Sequence, residues 1–157
     1  MSGPGNDGYL KSAINDCGAA GARLSVCRSF SGEAWSRLFG IGDFCNPSRC
    51  MRVTELIGKI RADTGKWGVL GSANDQAVLD KARELAATKA VLAILQEEDP
   101  GQITIIMPGA PVPSGRWRLN VPIGVGARVD RPEASVYAKG LNWLFAEPAK
   151  VVVYVRL

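Results

Sequence analysis

At Pro100–Gly101 the chain changes its hydrophobic grammar, and no other feature limits the fold as tightly. Before that dipeptide, apolar residues recur at three- and four-residue spacing, the period of a helix with one buried face. After it come short apolar or alternating runs separated by glycine and proline, the pattern of strands and turns. Helices first and strands second predict an α+β fold, with N-terminal helices packed on a small, mostly antiparallel C-terminal β-sheet. A length of 157 residues is enough for a real hydrophobic core and predicts a single domain. Its expected parts are a loose Gly-rich arm over 1–8, a helical part over 9–99 and a β-rich part over 102–157.

Within the helical part, Leu10, Ile14, Cys17 and Leu24 indicate a helix from Tyr9 to about Val26, weakened by Gly18 and Gly21. Trp35, Leu38 and Phe39 share the face of a short helix over 33–39. A better-marked helix takes Asn46 as N-cap and Pro47 as first helical residue. It carries Val53, Leu56, Ile57 and Ile60 on one face and stops at Gly65. Ser72, with Asp75 three residues on, opens another helix in a capping-box-like arrangement. That helix is expected to run through "AVLDKARELAATKAVLAILQEE", with Ala90–Leu95 buried on most sides.

In the β-rich part, "ITIIM" reads as a short buried strand and "IGVGARV" as a weaker one broken by glycine. "RWRLNV" alternates, with Trp117, Leu119 and Val121 on one face and Arg116, Arg118 and Asn120 on the other. "ASVYAKGLNWLF" fits helix or strand, and "KVVVYVRL" closes the chain as a β-branched strand.

The cysteines stand at 17, 27, 45 and 50. Only one pair is close and there is no histidine, so the spacing does not match a structural zinc site, and C-x4-C is not the C-x-x-C of thiol redox chemistry. With Asn46 as N-cap, Cys45 and Cys50 fall at the two positions whose side chains meet in a hydrophobic staple. The same two residues are also near enough to close a disulfide in an oxidising compartment. No basic and apolar leader is seen at the start, which favours reduced thiols. Cys45, Asn46 and Cys50 are therefore expected to be structural, and no metal or cofactor is expected.

The absence of histidine removes Ser-His-Asp and Cys-His catalysis, HExxH metalloprotease chemistry and histidine phosphotransfer. "TGKWG" lacks the rest of a P-loop, and "GVGARV" lacks the third glycine and the helix of a dinucleotide fingerprint; turn and strand glycines are the simpler reading. Glu33 and Asp43 flank aromatic residues in a way that superficially suits sugar cleavage, but any chain of this size offers such a pair, and solvated surface carboxylates are the simpler reading.

Charge is more informative. Residues 1–100 hold twelve basic and twelve acidic side chains, whereas 101–157 hold seven against three, so the whole excess of +4 lies in the last third. Arg116, Arg118, Arg128 and Arg131 are the candidate anion- or partner-binding residues. Two functions follow as expectations. In the first, the protein is a non-enzymatic subunit that docks into a larger assembly, through protein partners or self-association, with the final strand placed to extend a neighbour's sheet. In the second, it is a histidine-free, RNA-directed nuclease: Arg116 and Arg118 hold phosphate, Tyr137 contacts base or ribose, and Lys139 transfers a proton. Nucleic acid would then bind across the 116–139 basic region. The longest apolar run, Ala90–Leu95, is too short to cross a membrane, so a cytoplasmic or particle-enclosed location is expected.

Overall fold

The computed structural model describes residues 8, 10–15, 44–45, 50–95, 101–128 and 134–157. Three runs rich in β-branched residues form the middle of a six-stranded sheet: β2 (Val91–Leu95), β3 (Gln102–Ile106) and β8 (Val151–Arg156). These strands are apolar almost throughout because both sheet faces are covered. Around them stand β1 (Trp67–Ser72), β6 (Ile123–Gly126) and β7 (Val136–Gly140), in the order β1-β8-β2-β3-β6-β7. Every pairing is antiparallel. A separate hairpin joins β4 (Val112–Ser114) to β5 (Leu119–Val121). The fold is α+β with an antiparallel sheet, as the change of grammar predicts.

Strict alternation divides the sheet residues between two apolar clusters. On one face Leu92, Ile94, Ile103, Ile105, Val125 and Tyr154 cluster with Leu10 and Ile14 of the helical stretch 10–15 (α1). Val53, Leu56, Ile57 and Ile60 of α2 (Val53–Ala62) complete that cluster, with Phe44 and Trp67, whose rings lie 6.1 Å apart. On the other face Val91, Ala93, Ile106, Val151 and Val153 cluster with Leu79 and Ala82 of α3 (Gln76–Leu85), Trp117 and Val121 of the hairpin, and Leu141, Leu144 and Phe145.

Several expectations change. The α2 face is as read from the sequence, but the helix begins at Val53, where the Glu55 carboxylate accepts from the Arg52 N–H at 3.3 Å. Asn46 is therefore not its N-cap, and Asn46 itself lies outside the described residues. Cys45 and Cys50 are not free thiols in a staple. They form a disulfide across an isolated antiparallel bridge, and the Met51 N–H donates to Phe44 O at 2.7 Å.

The helix expected from Ser72 starts one turn later, with the Asp75 carboxylate accepting from the Ala77 N–H at 3.0 Å, and ends at Leu85. Residues 91–95 are strand β2, so the segment read as helical contains β1 and β2. An apolar run buried on all sides fits a helix or a central strand equally, and flanking β3 and β8 decide for the strand. The ambiguous 134–145 segment is strand β7 followed by a 3-10 turn, Leu141–Trp143. The final strand β8 is paired on both sides, by β1 and β2, so it presents no free edge. The expected helices over 16–26 and 33–39 and the Glu33/Asp43 pair fall outside the described residues.

Candidate anion-binding site

The described residues bring two of the predicted arginines to one opening. A cavity of about 400 Å³ is lined by Arg116, Arg128, Asn142, Trp143, Leu144, Phe145 and Ala146. Three segments wall it: the hairpin turn, the end of β6 and the stretch after β7.

Arg116 comes from the turn of the β4–β5 hairpin. Residues 116–118 are not strand as expected; the turn spans 115–118, and Arg118 takes a left-handed φ of 57°. The turn closes through Arg118 N–H to Ser114 O at 2.8 Å and Trp117 N–H to Ser114 Oγ at 3.2 Å. Trp117 is buried, as the alternation predicts, and its indole N–H donates to Phe145 O at 3.2 Å, joining the hairpin to the opposite wall. On the far side of the hairpin, the Gln76 side chain behaves like a neighbouring strand. Its amide donates to Asn120 O at 2.8 Å and accepts from the Asn120 N–H at 2.9 Å. The hairpin that carries Arg116 is thus fixed from both sides, while the exposed Arg116 guanidinium has no hydrogen-bond or ion-pair partner among the described residues.

Arg128 follows β6. Its backbone N–H donates to Ser135 Oγ at 2.8 Å, and its Nη1 reaches Leu144 O at 3.4 Å. That second bond ties the arginine to the 141–146 wall.

The 141–146 wall lies close against the sheet because β6 has glycine beneath it. A Cβ at Gly126 would stand 2.8 Å from Leu144 Cδ1 and 2.8 Å from Thr104 Oγ1. One at Gly124 would stand 2.6 Å from Thr104 Cγ2 and 3.2 Å from Leu141 Cδ2. The glycines of "GVGARV" are therefore strand glycines that make room for Leu141 and Leu144, with no phosphate loop. Leu141, Leu144 and Phe145 are buried at the spacing of one helical turn, which leaves Trp143 pointing away from the core with 62% of its surface exposed.

Strand β7 contains one extra residue. Gly126 pairs with Val136 and Gly124 with Lys139, so two steps on β6 face three on β7, and Ala138 takes a left-handed φ of 54°. The bulge breaks the alternation that would put Tyr137 and Lys139 on one face. Tyr137 packs with the α2-side cluster, while Lys139 Nζ lies over the Trp143 ring, 5.4 Å from its centroid.

The predicted residues are thus partly regrouped. Arg116 and Arg128 share the cavity, and Lys139 adjoins it through Trp143. Arg118 and Tyr137 do not line it, and Arg131 lies outside the described residues. Sequence reasoning missed Trp143 and Asn142. The available signal was an aromatic off the apolar face set by Leu141, Leu144 and Phe145 at i, i+3 and i+4.

Among the described residues no group of three or more Cys, Asp or Glu is placed to hold a metal ion, and no helix is long and apolar enough to cross a membrane. No protein-family model matches the chain, and no curated protein sequence matches it.

Proposed function

We propose that the protein is a non-enzymatic binding protein whose cavity takes a phosphate-bearing strand of nucleic acid. The convergence of Arg116 and Arg128 on one cavity beside a largely exposed tryptophan carries this reading. A guanidinium pairs with phosphate oxygens through parallel, charge-assisted hydrogen bonds. An exposed indole offers a flat surface on which any base can stack. The positive excess of residues 101–157 adds attraction at longer range. The described lining holds no carboxylate, tyrosine or lysine to move a proton, and the chain has no histidine. Tyr137, which the nuclease alternative needs beside Lys139, packs toward the opposite sheet face. Binding is therefore favoured over cleavage.

Fluorescence anisotropy of a labelled single-stranded oligonucleotide, repeated across a salt series, tests the reading. Affinity is expected to fall with salt, and Arg116→Ala should weaken binding and flatten the logarithmic salt slope by about 1. Parent and variant with the same affinity and slope would reject the site.

A second reading, docking of another protein chain into a larger assembly, draws support from the other end of the sheet. Val69 on β1, the edge strand among the described residues, and Leu157, which follows the neighbouring β8, are each 64% exposed. It predicts a solution mass by light scattering that is a multiple of 16.7 kDa. A monomer at all concentrations would count against it.

A further inference from the structure

The shape of the cavity narrows the partner further, on the reading that the site binds nucleic acid. Duplexes keep their bases stacked and offer grooves, which proteins enter with convex elements such as helices, ribbons and loops. Here the cations and the aromatic ring line a concavity of about 400 Å³, within the range of small-ligand pockets. A base meets such a wall only after leaving its stack and its pairing partner.

The ring itself is set for one occupant. Lys139 lies over the Trp143 ring but is not among the cavity lining, whereas Trp143 is in the lining and 62% exposed, which is surface a base could stack on. The extra residue at Ala138 turns Lys139 to that position, a placement that regular alternation would deny it. Asn142, beside Trp143 in the same lining, adds a side-chain amide with both donor and acceptor atoms. Arg116 and Arg128 approach from two other walls, where the phosphates on either side of the base would pass.

We infer that the site holds one unpaired nucleotide of a single strand, its base stacked on Trp143 and its flanking phosphates held by Arg116 and Arg128, and that it discriminates against duplex. The test uses the full chain and three labelled probes: a single strand of about 8 nucleotides, the same sequence annealed into a duplex, and the strand carrying abasic sites. Trp143 is mostly exposed, so Trp143→Ala leaves the fold intact, and Trp143→Phe serves as the conservative variant.

The parent is expected to prefer the single strand over both other probes by about 10-fold or more. Trp143→Ala should lose most of that preference while keeping salt-dependent binding to duplex, and Trp143→Phe should restore much of it. A parent that binds duplex as tightly as single strand, or a Trp143→Ala variant that keeps the preference, overturns this inference and leaves the broader nucleic-acid reading standing. A parent that binds none of the probes removes both.

Discussion

The two faces of the sheet are built by different means. Toward α1 and α2 the central strands present Leu92, Ile94, Ile103, Ile105 and Tyr154, large side chains that fill the space to the helices. Toward the other face the same strands present Val91, Ala93, Ile106, Val151 and Val153, but beneath the 141–146 stretch they present Thr104, with Gly124 and Gly126 beside it. Small residues there let irregular backbone, the 141–146 stretch, come down onto the sheet. A regular helix laid on large side chains makes a closed layer. Irregular segments laid on small ones leave openings at their junctions, and the described cavity lies at such a junction. Both faces hold the fold together, and the second also offers the site.

The Thr104 hydroxyl sits inside the second face, fully buried and without a hydrogen-bond partner among the described residues. An unpaired buried hydroxyl opposes folding. Its methyl group nevertheless fits the narrow space above Gly124, where a larger residue would meet Leu141.

If the faces differ as described, substitutions on them separate stability from binding. The largest loss of stability is expected for Leu92→Ala, which empties space between β2 and α2. It should cost about 3 kcal/mol in urea unfolding while the folded fraction binds oligonucleotide as the parent does. Weakened binding in proportion to lost stability would blur the division of labour. Gly126→Ala comes next. Its new methyl group meets Leu144 and Thr104, so a loss of about 2 kcal/mol is expected together with weaker oligonucleotide binding, because Leu144 lines the cavity. Arg116→Ala should have the smallest effect on stability, within about 0.5 kcal/mol, since its side chain is exposed and unpaired among the described residues. Its whole effect is expected in binding.

How far the sequence foretells these features depends on how local their causes are. The α2 face, β3 and β8 are legible because spacing and β-branching act over a few residues. Residues 91–95 are not, since an apolar run has no period and only its strand neighbours choose its conformation. Alternation misplaces Arg118, because the hairpin turn interrupts the period of two, and the segment of Lys139 stays open between helix and strand, because the β7 bulge leaves no clean period there. Spacing alone leaves the disulfide open, and the structure corrects the preference for reduced thiols: the bridge between Cys45 and Cys50 precedes α2 instead of lying at its start. The position of β8 between β1 and β2 depends on pairing across the whole chain, which no single segment reveals. Of the site, the sequence offers its charge but neither its aromatic wall nor its concavity.

The central claim is that Arg116, Arg128 and Trp143 belong to one binding site on one face of the sheet. Backbone amide NMR during titration with a short single-stranded oligonucleotide tests it most directly. The account predicts that shifts concentrate at 115–118, at Arg128 and over 139–146, and leave α2 and β1 unmoved. Shifts centred on the β1 edge, or no shifts at all near Trp143, would contradict it.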